Sequence, residues 1–223
     1  MNAFVEKIIA CSKCPRLVHW RSEVARTKRR QFMNETYWGK AVPSFGPIDA
    51  RLLIVGLAPA AHGANRTGRM FTGDESGKWL YRALFRAGFA DRETSQHAND
   101  GLRLIDARIT AMVHCAPPDN KPTTEERDVC SSYFDEELMF MKNCRVILCL
   151  GQFAWDGVLR ALKKRGMMAP LQKSMFGHGV SMTAGPYILI ASYHPSQQNT
   201  FTKRLTESML DDIFRNAKSL LDT

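Results

Sequence analysis

The chain has 223 residues, 44% of them hydrophobic, with 31 lysines and arginines against 22 acidic residues and a formal net charge of +9. That length suits one well-cored domain and falls short of two typical ones. No apolar run is long enough to span a bilayer, and the start, Met1 to Lys7, lacks the charged-then-apolar order of a secretory signal, so a cytoplasmic protein is expected.

The positive balance directs attention to a polyanionic partner, nucleic acid foremost, against the alternative that the cations merely solvate the surface. Arg16, Arg21, Arg26, Lys28, Arg29 and Arg30 crowd one early segment. Residues 4–11 read as a short helix with Phe4, Ile8 and Ile9 on one side, and residues 17–30 as a basic helical stretch. Between them Cys11 and Cys14 form a C-x-x-C beside Pro15. Residues 34–49 carry Tyr37-Trp38-Gly39, Pro43 and Gly46-Pro47 and read as a loop.

Four apolar runs follow, at 52–55, 109–113, 146–150 and 187–191, and helical spacing separates them. Trp79, Leu80, Ala83, Leu84 and Ala87 mark a helix after the first run. Residues 125–141 and 153–164 give two more, and the last runs from about 202 with Leu205, Met209, Ile213, Ala217 and Leu220 on one face. Strands alternating with helices predict an α/β fold with a mostly parallel sheet covered on both faces. No repeat or linker interrupts the chain, so residues 1–223 are read as one domain.

Six cysteines in a chain expected to be cytoplasmic are not read as a disulfide framework. Cys144 and Cys149 flank an apolar run and, five apart on a strand, face opposite sides; they read as buried packing residues. Cys11, Cys14, Cys115 and Cys130 remain as four thiolate ligands, a set that suits either zinc or an iron–sulfur cluster.

Three loops leave one edge of the expected sheet, the edge where open α/β sheets bind ligands. The first, residues 56–77 (GLAPAAHGANRTGRMFTGDESG), holds five glycines, Phe71 and the acid pair Asp74-Glu75. It is not a phosphate loop: in the frame set by Gly77-Lys78, Thr72 stands where the first glycine belongs and Trp79 where the hydroxyl belongs. The second, residues 114–122, is stiffened by three prolines around Asn120, whose amide can read a base edge or serve as an ordinary turn residue. The third, residues 192–196, carries His194, either a hydrogen-bond donor to a leaving anion or a structural histidine. His62, His114 and His178 share that ambiguity. A zinc deaminase needs H-x-E, and no histidine here has glutamate two residues on.

These segments, with CAPPDNKPTTEE at 115–126 and SYHPSQQNTFTKRLT at 192–206, resemble the uracil-DNA glycosylases, and most closely their type 5 branch. The early C-x-x-C and Tyr37-Trp38-Gly39-Lys40 fit that branch, and the resemblance spans nearly the whole chain. It implies a three-layer α/β/α sandwich around a four-stranded, mainly parallel sheet. It also implies a 4Fe-4S cluster on Cys11, Cys14, Cys115 and Cys130. The implied reaction is hydrolysis of the N-glycosidic bond of uracil, and of other deaminated bases such as hypoxanthine, in DNA. Ala58-Pro59-Ala60-Ala61 stands where other branches carry a water-positioning acid or amide, which moves that role to Asp74 or its neighbour Glu75. Ala111 replaces the usual uracil-reading asparagine and leaves Asn120 as the substitute.

In that reading Gly56, Ala58, Phe71 and Asn120 bind the base, and Asp74 and His194 are catalytic. Gln198, Asn199, Phe201 and Lys203 contact DNA, with residues 197–201 entering the duplex. The expected partner is uracil-containing DNA, bound by a monomer without a membrane and with the nucleoid as its working place. A sliding clamp is an open partner that no residue specifies. The rival class is a non-catalytic iron–sulfur protein that binds nucleic acid.

Overall fold

The computed structural model describes residues 2–168 and 175–222. In chain order the elements are α1 (Asn2–Ile9), α2 (Pro15–Thr27), β1 (Leu52–Gly56), α3 (Ala64–Thr67), α4 (Glu75–Arg86), β2 (Ala107–Ala111), α5 (Thr124–Phe140), β3 (Val146–Leu150), α6 (Gln152–Lys164), β4 (Ser181–Ala184), β5 (Tyr187–Ser192), α7 (Gln197–Phe201) and α8 (Glu207–Asp222). Short 3-10 turns occupy Arg30–Phe32 and Pro118–Asn120.

The sheet order is β2-β1-β3-β5-β4. The first four strands run parallel and β4 pairs antiparallel with β5. The sheet therefore has five strands where four were expected. The fifth escaped because Ser181-Met182-Thr183-Ala184 has no apolar run and only Ala184 is buried; it is an edge strand turned back through Gly185 at φ +57°.

Strand β2 also begins two residues earlier than expected and ends at Ala111. A charge conceals its start: Arg108 is buried and its Nε donates to Glu137 Oε1 at 2.5 Å, while Thr110 Oγ1 donates to Glu137 Oε2 at 3.2 Å. A buried charge costs several kcal/mol unless paired, so this partner across the layer is what admits arginine to a strand.

Side chains alternate between two cores. Leu52, Ile54, Val146, Leu148, Leu150 and Ile190 pack on one face with Leu80, Tyr81 and Leu84 of α4 and Leu210, Ile213 and Phe214 of α8. Leu53, Val55, Ile147, Cys149 and Leu189 pack on the other with Phe134 and Leu138 of α5 and Trp155, Val158 and Leu162 of α6. Cys144 joins the same core as Cys149, contrary to the expected opposite sides. It lies before β3 starts, so strand alternation does not reach back to it; both thiols are buried as packing groups.

The last helical run divides. Ser196 caps α7 by accepting from Asn199 N, Lys203 takes a left-handed φ of +57°, and α8 begins at Glu207. Because four strands are parallel, their carboxyl ends open on one edge, and the loops after β1, β2, β3 and β5 meet there.

Candidate active site

Two glycines at that edge lie against two ring-bearing residues. Gly56 ends β1, and a Cβ on it would lie 2.8 Å from Phe71 Cε2. Gly151 follows β3 at φ +94°, and a Cβ there would lie 3.3 Å from His194 Cβ. β1 and β3 are neighbours, so the two rings come together with centroids 5.8 Å apart and planes tilted by 31°. Phe71 is itself held at φ +52°, costly for a bulky residue and characteristic of a ligand clamp. It also packs on the core under α4, so part of the ring is structural. Burial pulls the pKa of His194 down to about 4, leaving a neutral imidazole at physiological pH. Its carbonyl accepts from Asn199 Nδ2 at 2.8 Å, which fixes the loop after β5.

The loop after β1 ends sooner than its glycine pattern suggested and contains the single turn α3. Asp74 is the N-cap of α4, with Oδ1 accepting from Gly77 N at 2.8 Å. Its Oδ2 lies against Gly63, where a Cβ would come within 2.0 Å of it. Burial raises the Asp74 pKa, the Gly77 N–H opposes that rise and the Glu75 charge adds to it. Glu75 is exposed and bonded to Lys78 at 2.5 Å, so Asp74 alone of the acid pair faces into the loop.

Two buried arginines hold this loop. Arg66 donates to His62 O at 2.8 Å and Gly73 O at 3.0 Å, pairs with Glu35 and lies over the Phe32 ring. Arg69 forks onto Asp100 at 2.8 and 2.6 Å and also donates to Thr72 Oγ1 and Ser95 Oγ. Tyr81 in α4 donates to Met70 O at 3.0 Å. His62, from the same loop, bonds Tyr37 Oη through Nδ1 at 3.0 Å.

The other expected residues are more dispersed. Ala58 packs toward the cysteine-lined core rather than toward Phe71. Asn120 is exposed in its 3-10 turn at φ +55°, next to Lys121, whose carbonyl accepts from Arg16. Gln198, Phe201 and Lys203 are exposed, Phe201 at 80%. Asn199 is part-buried and serves His194. A cavity of about 260 Å³ opens beside His194, lined by Leu57, Gly151, Phe153, Tyr193 and Arg204 among others. Arg204 stacks on Tyr193 at 4.5 Å, and His178 Nδ1 accepts from Tyr193 N at 3.2 Å. The sequence reading missed Gly151, Tyr193 and Arg204. A glycine immediately after an apolar strand, as at Gly56, was the available signal for Gly151.

Cys11, Cys14, Cys115 and Cys130 line one cavity between α1, α2, the end of β2 and α5, with Leu17, His114 and Tyr133. Pro15 is the first residue of α2, not part of a free turn, and Cys14 is that helix's N-cap. Arg21 Nη1 donates to Cys115 Sγ at 2.8 Å, and His114 N to Cys130 Sγ at 3.4 Å. Burial pushes the Cys115 thiol up to about 11 and Cys130 to about 12. Among the described residues no three or more His, Cys, Asp or Glu side chains gather as ligands of a single metal ion. His114 bonds Val42 O through Nδ1 at 2.7 Å.

The early basic segment is likewise less uniform than its composition. Arg21 is buried, Arg16 pairs with Glu126, Arg26 with Glu23, and half-buried Lys28 donates to Met33 O, which leaves Arg29 and Arg30 toward solvent. No helix among the described residues is long and apolar enough to cross a membrane.

Residues 43–218 match the profile of the Uracil DNA glycosylase superfamily. The chain belongs to that superfamily. Among its relatives, a Type-5 uracil-DNA glycosylase of Mycobacterium tuberculosis is 54% identical over 222 residues, 99% of this chain and 80% of the relative. Those of Thermus thermophilus and Pyrobaculum aerophilum are 46% and 43% identical, covering 98% and 96% of this chain and 97% and 90% of their own lengths. All five strands and the three loops of this superfamily member fall within 43–218. Cys11 and Cys14 precede that span but lie within the length shared with the M. tuberculosis relative.

Proposed function

We propose that the protein is a uracil-DNA glycosylase that flips uracil out of DNA and hydrolyses its N-glycosidic bond, leaving an abasic site. The observation that supports this reading most directly is the pairing of the Phe71 and His194 rings, 5.8 Å apart at the carboxyl ends of parallel strands, with Phe71 seated over Gly56. An aromatic face and a hydrogen-bonding imidazole are what a flipped pyrimidine needs, and stacking alone is worth roughly 1–3 kcal/mol per base.

In this mechanism the free face of Phe71 stacks on the base, with the backbone at Gly56 and Ala58 beside it and the amide of Asn120 reading its edge from the second loop. As the glycosidic bond breaks, negative charge develops on the leaving base. His194 enters neutral and donates one N–H to O2, an electrostatic contribution of about 2.7–4 kcal/mol in comparable oxyanion sites. The Asp74 carboxylate orients water below the sugar and stabilises the cation forming there. It is the acid held inside the loop, whereas Glu75 points to solvent. Phe201, with Gln198 and Lys203 beside it, fills the space that the base vacates. Deaminated bases such as hypoxanthine belong to the same substrate class.

The four cysteines fit a 4Fe-4S cluster better than zinc, because they surround a cavity rather than converging on one point. The cluster would tie the amino-terminal helices to the loop after β2. Residues 1–223 act as one domain and a monomer, in the cytoplasm. Oligonucleotides carrying uracil, hypoxanthine or intact bases, single- and double-stranded, test the activity. Alkali-sensitive cleavage at uracil is expected; binding without cleavage would establish the non-catalytic alternative. Purified protein holding zinc and no visible absorbance band would remove the cluster.

A further inference from the structure

Five arginines are buried in the described structure: Arg21, Arg66, Arg69, Arg108 and Arg127. Four have a carboxylate: Arg66 pairs with Glu35, Arg69 with Asp100, Arg108 with Glu137 and Arg127 with Asp128. Arg21 has none among the described residues. Its Nη1 donates to Cys115 Sγ at 2.8 Å and its Nη2 to the Cys11 carbonyl at 2.9 Å. Its Nε is buried without a partner. A buried cation lacking a counter-charge costs several kcal/mol, so an anion is required where that guanidinium points. Its Nη1 points at Cys115, one of the four cysteines that line the cavity.

The backbone of the same residue faces the other way. The Arg21 carbonyl accepts from Asn65 Nδ2 at 3.2 Å. Asn65 is fully buried and lies in α3, inside the loop that carries Phe71 and Asp74. Its own carbonyl accepts from Gly39 N at 3.0 Å. One residue thus touches the cysteine centre with its side chain and the catalytic loop with its backbone.

We infer that Arg21 is the counter-charge of the group held by the four cysteines, and the positioning residue that joins that group to the loop bearing Asp74. The inference rests on the iron–sulfur reading above. Four thiolates on a 4Fe-4S cluster would carry net negative charge, and Nη1 bonds the sulfur of one of the four cysteines. Removing a partner of this kind typically costs roughly 10–100-fold in hold on the metal.

The test compares wild-type holoprotein with Arg21→Gln and Arg21→Lys, each as isolated. The first readout is the rate at which a chelator bleaches the visible band. The second is the iron–cysteine stretching frequency in the resonance Raman spectrum, which a merely structural role would leave alone. Bleaching on the order of tenfold faster is expected for Arg21→Gln, with a smaller increase for Arg21→Lys, which keeps the charge and loses the fork. The stretch attributable to Cys115 should rise in both as its hydrogen bond is lost or weakened. If Arg21→Gln does not fold, Arg21→Lys carries the comparison. Unchanged frequency and bleaching in a variant with full iron content overturn the role of Arg21 and leave the cluster standing. Wild-type protein without iron and sulfide overturns both.

Discussion

The Phe71 and His194 rings lie 5.8 Å apart and tilted by 31°, the Phe71 ring resting against Gly56 at the end of β1 and the Cβ of His194 lying beside Gly151 just after β3. Gly56 has an ordinary φ, so its reason is contact alone: a Cβ would come within 2.8–2.9 Å of the Phe71 ring tip. Gly56→Ala should therefore displace Phe71. Overpacking of this kind costs about 1–3 kcal/mol. Denaturant unfolding and single-turnover excision of uracil measure the two consequences. A variant normal in both would mean that the ring has freedom to retreat.

The cap that Asp74 provides and the catalytic role proposed for it can be separated. As the N-cap of α4 it accepts from Gly77 N, and asparagine caps about as well as aspartate, whereas alanine loses about 1 kcal/mol. Asp74→Asn should keep stability and lose most turnover; Asp74→Ala should lose both. Burial raises the pKa of this acid, so the ionised form required for catalysis is lost at a higher pH than for an ordinary aspartate. The acid limb of kcat should lie correspondingly high. Near-wild-type turnover by Asp74→Asn would transfer the role elsewhere.

Strands β1, β3 and β5 were legible because each is a nearly unbroken apolar run, and the loops that follow them were legible because glycine, proline and histidine punctuate them. What escaped is what tertiary structure alone supplies. Arg108 enters β2 only because Glu137 meets it from α5. β4 exists only because β5 offers an edge. Arg21 reads in sequence as one more surface cation, yet it is buried against Cys115. The exposure of Asn120 was not legible either, because proline fixes backbone angles without saying where the loop is anchored; an exposed amide remains free to meet a base.

His194 should make stability depend on pH. Burial lowers its folded pKa to about 4, below an unfolded value near 6.5. The folded state then binds fewer protons between those values, so this contribution is complete above about pH 6.5 and is lost as pH falls toward 4. His62, His114 and His178 are depressed by burial too, so the informative quantity is a difference. Between pH 7 and 5, wild type should lose more stability to denaturant than His194→Asn does. Parallel losses would place the imidazole in water.

Arg69 and Asp100 form a forked, largely buried anchor of the loop that carries Phe71 and Asp74. Burial alone would raise the Asp100 pKa, but the Arg69 fork and the N–H groups of Leu102 and Gln96 hold it well below the usual carboxylate range. Removing one partner of such a pair costs roughly 3–5 kcal/mol. Arg69→Met should lose that much at pH 7. The deficit relative to wild type should shrink as pH falls through the carboxylate range, because wild type then loses the pair as well. A deficit independent of pH would assign the cost to packing rather than charge.

Phe201 is 80% exposed at the end of α7, on a helix capped by Ser196 and linked through Asn199 to the His194 carbonyl. An aromatic side chain so exposed contributes little to folding, and Phe201→Ala should change stability by no more than about 0.5 kcal/mol. Its use appears only with DNA. A wedge that occupies the gap left by a flipped base helps where the base must leave a duplex, and a single strand has no such gap to fill. Excision from a U·G duplex should therefore fall well below wild type while excision from the single strand changes little. Equal losses on both would make Phe201 a general contact with the DNA strand, and no loss on the duplex would remove it from base flipping altogether.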